Sequence, residues 1–286
     1  MRTCLECLPC LGRNAVEAAN RSTSDPAVRK AAVSEAFRFL AEADLSATPP
    51  FLAGKILDIV LRHTGKDDLY PDEKKRSALL AEKLLAGLRE VPQYDPGDFE
   101  SRLRLAIAGN ILDFGVYGGL DIERALQTVR SVFTKPLDPG TVKRLHDRMD
   151  SAGQILYVLD NCGEAVFDRV FMEPYRHKTV LAVRGRAVFN DVTERDLEDS
   201  GLAGFTKGVI PTGSGGFPGV ILSECGEDFR RAYASSDLII AKGQGNFETM
   251  NEFPDPIAFL FLAKCPVVIR ALQTEPNSIQ IRLRNF

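Results

Sequence analysis

Histidine is scarce: only His63, His146 and His177 occur among 286 residues, each alone in a helical or strand-edge context. Histidine-rich zinc chemistry is therefore not expected. Charge of one sign is also lacking, with 36 Lys+Arg against 39 Asp+Glu and a formal net charge of −3. So balanced a chain lacks the field that draws nucleic acid or an anionic membrane surface, and the expected partner is a small molecule or a protein. No apolar run reaches the roughly 18 residues of a membrane span. The greasiest stretch, Pro256 to Leu272, is broken by Lys264 and Arg270, and the N-terminus has no signal-peptide core. The expectation is a soluble, cytoplasmic protein. Two glycine motifs are missing as well. No G-x-x-x-x-G-K-[ST] occurs, and no strand leads into G-x-G-x-x-G, which argues against a Walker nucleotide site and a dinucleotide fingerprint. Methyltransferase and glycosyltransferase readings weaken with them.

What is present is a sizeable core. Apolar residues make up 44% of the chain, enough for two domains of ordinary size. The first 150 residues read as helices between punctuators. Val33, Phe37 and Leu40 keep helical spacing; Thr48 and Pro49 open a second segment that Gly65 stops. Pro71 with Asp72 and Glu73 opens a third, and Asp98 a fourth running through Leu103, Ile107, Ile111 and Phe114. Shorter helices are expected from Asp121 and from Pro139 or Thr141.

Near residue 153 the pattern changes to short apolar runs: 155–160, 179–185, 208–211, 237–243 and 266–272. Such runs suit strands buried on both faces. Helix candidates begin at Glu164, Thr193, Gly219 and Phe247. Alternation of this kind predicts a mainly parallel, doubly wound α/β sheet, whose ligands bind at the carboxyl ends of the strands. The expected division is a helical domain over 1–150 and an α/β domain over 151–286.

At those strand ends stand Asp160-Asn161, Asn190-Asp191, Thr212 to Gly216, and Lys242 to Asn246. Asp160, Asn161 and Asp191 form a hard oxygen set suited to Mg²⁺ or Mn²⁺. The same residues suit helix caps before Glu164 and Thr193, and both roles stay open. Gly213 and Ser214, with Gly243 and Gly245, could present backbone N–H groups to an anion, or simply make tight turns. Lys242, ending an apolar strand, reads as an anion contact.

Six cysteines do not make a disulfide framework: three crowd into the first ten residues and Cys162, Cys225 and Cys265 stand singly. A reducing compartment is expected. Cys4, Cys7 and Cys10 have metal-ligand spacing but need a distant fourth ligand, such as His63 or Cys162. Packing, a redox switch, and a zinc or iron–sulfur site are all compatible with the spacing.

The ordered motifs E-C-L-P-C (6–10), A-G-N-I-L-D-F-G (108–115), L-D-N-C-G-E (159–164), F-N-D-V-T (189–193) and K-G-Q-G-N-F-E (242–248) resemble the DUF89 family. These are the metal-dependent damage-control phosphatases related to the ARMT1-like proteins. The C-x-x-C of Cys7 and Cys10 looks like that of their mostly prokaryotic subgroup. The resemblance implies a helical part beside a Rossmann-like three-layer α/β/α part. It further implies Asp160, Asn161 and Asp191 as ligands of a divalent metal ion (Mg²⁺, Mn²⁺, or another such as Co²⁺ or Ni²⁺). Lys242 would meet the substrate phosphate, and Asn110 and Asp113 would reach into the cleft from the helical part. Cys162 stands where many relatives have a small residue, and Cys4 extends the C-x-x-C.

The function expected is hydrolysis of small phosphorylated metabolites, sugar phosphates or damaged cofactor-like esters, with Asp160, Asp191 and Lys242 as catalytic groups. Asp160 as phospho-accepting nucleophile competes with a metal-activated water. A D-x-D hydrolase would want an acid at position 162, where Cys162 stands, so water is favoured. The alternative class is a non-catalytic module that binds a phosphorylated ligand or senses oxidation through its N-terminal cysteines.

Overall fold

Capping residues set the early helices. A computed structural model describes residues 1–88, 91, 93–110 and 122–286, with eleven α-helices and six strands among them. Helix α1 is Cys7–Ser22, and α2 is Pro26–Ala41, where the Asp25 carboxylate accepts from the N–H groups of Ala27 and Val28. Helix α3, Pro49–Thr64, begins on two prolines and stops at Gly65, whose φ of +66° is the left-handed turn that glycine allows. Helices α4 (Pro71–Leu88), α5 (Phe99–Ala108), α6 (Ile122–Val132) and α7 (Pro139–Ser151) follow. Asp98 and Asp138 accept from Ser101 N and Thr141 N to cap α5 and α7. Ile111, Asp113, Phe114 and the start expected at Asp121 lie outside the described residues.

The strands are β1 (Ile155–Val158), β2 (Thr179–Val183), β3 (Gly208–Pro211), β4 (Leu238–Lys242), β5 (Ile257–Leu262) and β6 (Ile279–Arg284). Their order is β3-β2-β1-β4-β5-β6; β1 to β5 are parallel and β6 is antiparallel to β5. Helices α8 (Cys162–Met172), α9 (Glu227–Ser235), α10 (Gly243–Met250) and α11 (Pro266–Leu272) complete the alternation. The run 266–272, expected as a strand, is α11: Pro266 supplies the first helical position and Gln273, at φ +51°, ends it. Its place in the sheet belongs to β5, buried along its whole length. The helix expected at Thr193 is only the 3₁₀ turn Glu194–Asp196, and the one expected at Gly219 begins later, at Glu227.

Strand alternation divides the core. Ile155, Tyr157, Leu181, Val183, Ile240 and Leu260 face α5, α7 and α8, while Leu156, Val158, Ala182, Ile239, Phe259 and Phe261 face α9, α10 and α11. The result is a three-layer α/β/α body. Outside it, α4 and α6 pack on α8 and α5 through Leu84, Leu88, Val129 and Phe167. Helices α1 to α3 join through Leu11, Leu40, Leu52 and Ile56, with Phe189 and Val267 packed against them. Among the described residues no helix is long and apolar enough to cross a membrane.

Candidate active site

Strand β1 lies between β2 and β4, the point where the chain reverses the direction in which it adds strands and where parallel sheets open a crevice. Asp160 leaves β1 there. The turn after β2 doubles back to it: Val192 N–H donates to Asp160 O at 2.8 Å, and Cys162 N–H to Asn190 O at 3.0 Å. Asn161 and Asp191 pair as an isolated antiparallel bridge. Two acidic side chains 31 positions apart are thus set on adjacent backbone by main-chain hydrogen bonds. Phe189 opens this turn at φ +44° and rests edge-on against Tyr70, 6.1 Å between ring centres.

Arg184, the residue after β2, reaches the same place. Its Nε donates to Asp191 Oδ2 at 2.7 Å and its Nη2 to Asn246 Oδ1 at 3.1 Å, with Nη2 3.8 Å from Asp160 Oδ1. Its buried Nη1 has no hydrogen-bond partner among the described residues. From the helical side comes Asn110. Gly109 lets α5 approach so closely that a Cβ there would lie 2.9 Å from Glu164 Cα. Asn110 Nδ2 donates to Asp160 Oδ2 at 3.2 Å and to Glu164 Oε2 at 3.0 Å, leaving its buried Oδ1 without a partner among the described residues. Gly243, at φ +77°, borders Asp160 so tightly that a Cβ would overlap the carboxylate.

Beneath this layer is a second one, fully buried. Lys242 Nζ donates to Ala106 O at 2.9 Å, to Asp168 Oδ1 at 2.6 Å and to the Glu164 carboxylate. Tyr157 Oη donates to Asp168 Oδ1 at 2.7 Å. Burial works against the Lys242 ammonium, yet Asp168 and Glu164 hold its pKa above the ordinary lysine value. Burial pushes the Asp168 carboxyl up to about 7 against the pull of Lys242. Glu164 Oε2 accepts from the amides of both Asn110 and Asn161, at 3.0 and 3.1 Å.

The damage-control phosphatase ARMT1-like domain matches residues 3–279 of the chain. The chain belongs to that family. It is 33% identical over 291 residues to the damage-control phosphatase PH1575 of Pyrococcus horikoshii, covering 100% of this chain and 99% of that protein. A damage-control phosphatase of Archaeoglobus fulgidus is 32% identical over 277 residues, with 93% of each chain covered. The crystal structure of the Pyrococcus horikoshii DUF89 protein superposes with a TM-score of 0.88 at 32% identity, each chain covered in full. These relatives support a phosphatase role.

Within this ARMT1-like fold, Asp160, Asn161, Asp191 and Asn110 come together, and Asp113 lies outside the described residues. Asn161 is also the cap that its spacing suggested: its Oδ1 accepts Glu164 N–H at 3.1 Å. Asp191 caps no helix, because the segment after it is a 3₁₀ turn in which Thr193 N–H is taken by Asp196. The Lys242 ammonium, expected at a phosphate, is wholly buried and donates to Glu164, Asp168 and Ala106 O. Gly213 and Gly245 allow chain crossings: a Cβ would strike Glu224 O at the first and Pro218 O at the second, while Ser214 stands exposed. Arg184, Asn246, Glu164 and Asp168 join the Asp160 cluster, residues to which sequence reasoning assigns no site role. A cavity of about 370 Å³ lined by Gln154, Val180, Asp228 and Arg231 lies beside α9 and contains none of the site residues.

No three His, Cys, Asp or Glu side chains gather as a ready metal site among the described residues. The donor set that does gather is mixed: the Asp160 and Asp191 carboxylates with the amide oxygens of Asn161 and Asn110. It is all hard oxygen, and Asn110 Oδ1, with no partner among the described residues, is a buried acceptor with a lone pair to give, so the residues fit Mg²⁺ or Mn²⁺.

Proposed function

We propose that the chain is a divalent-metal-dependent phosphomonoester hydrolase acting on small phosphorylated metabolites. The observation that carries this reading is the main-chain lacing of the Asp160 and Asp191 turns at the switch point of the sheet. Asp160 and Asp191, with Asn161 and Asn110, would hold the ion. A bound Mg²⁺ or Mn²⁺ supplies Lewis-acid charge to phosphoryl oxygens and acidifies water.

The chain's own groups do the positioning. Glu164 Oε2 takes the N–H side of both amides, which turns Asn110 Oδ1 away from that carboxylate, while Asn161 Oδ1 accepts the Glu164 backbone N–H. Lys242 neutralises Glu164 and so acts through it, as a positioning residue. Arg184 orients Asp191 and brings fixed positive charge beside both carboxylates, where an anionic ester would otherwise be repelled. Cys162 is buried and its thiol is pushed well up by burial, so position 162 offers no acid to support an Asp160 phosphoenzyme. Water as nucleophile follows.

The test is phosphate release from a panel of sugar phosphates and cofactor-like monoesters, with metal-stripped protein resupplied with Mg²⁺, Mn²⁺, Co²⁺ or Ni²⁺ in turn. Asp160→Asn and Asp191→Asn should each lower turnover on the order of a hundredfold or more while the circular dichroism spectrum is kept. Undiminished release from the double variant would place the site elsewhere, and tight binding without turnover would favour a non-catalytic module.

A further inference from the structure

The N-terminal cysteines take no part in the chemistry above. Cys4 and Cys7 sit across a single turn, closed by Cys7 N–H donating to Cys4 O at 2.9 Å and Leu8 N–H to Leu5 O at 3.1 Å. Their sulfurs are 3.5 Å apart. A disulfide needs about 2.05 Å, so the two sulfurs have a gap of roughly 1.5 Å to close. The two thiols differ in setting. Cys7 opens α1 and packs in the core of Leu11, Leu52 and Ile56, whereas Cys4 is half-buried beside Leu5, which is 70% exposed. Cys4 is thus the more exposed residue of the pair and Cys7 the buried one.

Burial pushes the Cys7 thiol up to about 12, with Cys4 and Cys265 adding to the effect. A site that disfavours a buried thiolate favours the neutral bonded form once oxidant is present. The turn is tied to the active site from outside. Glu6, within it, accepts from Arg270 of α11 at 2.7 Å; the N–H groups of Lys264 and Cys265 at the start of α11 donate to Gln244 Oε1 at 3.1 Å each. Gln244 follows Gly243, which borders Asp160.

We propose that Cys4 and Cys7 form a redox-active dithiol that closes to a disulfide by exchange with a low-molecular-weight disulfide of the glutathione class. The Cys4 thiol loses its proton to solvent and its thiolate attacks one sulfur of the small disulfide; that S–S bond breaks and one small thiolate leaves. Cys7, deprotonated in turn, attacks Cys4 Sγ and expels the second. The protein gives up two protons and two electrons, and the small disulfide becomes two thiols.

The full-length reduced protein, incubated with oxidised glutathione, alkylated and mapped by mass spectrometry, should lose two of its six free thiols. The linked peptides should be those of Cys4 and Cys7, in at least tenfold excess over any other pairing. Cys10→Ser should keep the link, Cys4→Ser should abolish it, and dithiothreitol should restore both thiols. Mapping of the unaltered chain decides the matter even if a variant folds poorly. A link to Cys265, a lasting glutathione adduct on Cys10 alone, or no loss of thiols would overturn the proposal. So would zinc bound to the purified protein and released by Cys7→Ser, since the pair would then be metal ligands.

Discussion

Replacing Lys242 by alanine separates two roles that a sequence alone confuses. A lysine facing substrate phosphate loses turnover and little stability when truncated. This ammonium instead lies between Glu164 and Asp168, all three side chains 0% exposed. Its removal leaves two buried carboxylates one helical turn apart with no counter-charge, and removing one partner of a buried ion pair costs about 3–5 kcal/mol. At roughly 2–4 °C per kcal/mol for a chain of this size, Lys242→Ala should melt on the order of 10 °C below the parent. The deficit has a pH signature. Burial raises the Asp168 carboxyl from 3.8 to about 7, so the native state holds a proton that the unfolded chain releases, and stability falls as pH rises through that window. Without the lysine the fall steepens, and the deficit should be larger at pH 8 than at pH 5. Scanning calorimetry at both values is the assay. Lys242→Met combined with Glu164→Gln and Asp168→Asn, which removes all three charges, should recover most of the loss. A variant that melts within about 2 °C of the parent at pH 8 while turnover drops a hundredfold would refute the buried-triad reading.

Gly243→Ala should reduce turnover about a hundredfold, because its Cβ overlaps the Asp160 carboxylate and its φ of +77° is strained for alanine; undiminished phosphate release would refute the contact. Glu248→Gln should flatten part of the pH dependence of stability. Burial lifts Glu248 from 4.5 to about 7, although Gln244 Nε2 donates to it at 2.6 Å. Its penalty is absent below the unfolded value, grows between those two values and amounts to at most about 3 kcal/mol above them. The variant should therefore gain stability relative to the parent at pH 8 and not at pH 4, by urea denaturation; equal shifts at both would remove Glu248 as the source.

The centre of the site was legible because strand ends are positional signals: an apolar run ending in Asp160-Asn161 and a second turn carrying Asp191 had to open on the same edge of a parallel sheet. Lys242 was legible as a charge that an apolar strand has no packing reason to carry, but not in its direction. Its partners, Glu164 and Asp168, lie four residues apart on α8, one face of a helix whose other residues are mostly apolar. That spacing was available, yet two acids on a helix read equally as a solvated face. Arg184 directly follows β2, as Lys242 closes β4, and no motif distinguishes it. Asn110 came only through the resemblance, since helical spacing cannot show that Gly109 lets α5 touch α8. The exchange of 266–272 for 257–262 as a strand has a simpler cause: both are short apolar runs, and periodicity alone does not tell a buried strand from a buried helix segment.

The core that backs the sheet has a bearing on how the protein is made. Phe99, Leu103 and Ile107 of α5 share it with Leu260 and Leu262 of β5, segments far apart in the chain that meet in one packed layer. At a synthesis rate of about 5–20 residues per second, the stretch from Ile107 to Leu262 takes on the order of 8–30 s to emerge. During that interval β1, β2 and β4 emerge in turn to meet the apolar faces of α5 and α7, and the contact with β5 comes last of these. A chain cut short of Ile257 lacks the strand that completes this layer, so it should leave part of that apolar face open and be inclined to aggregate rather than fold as a helical half.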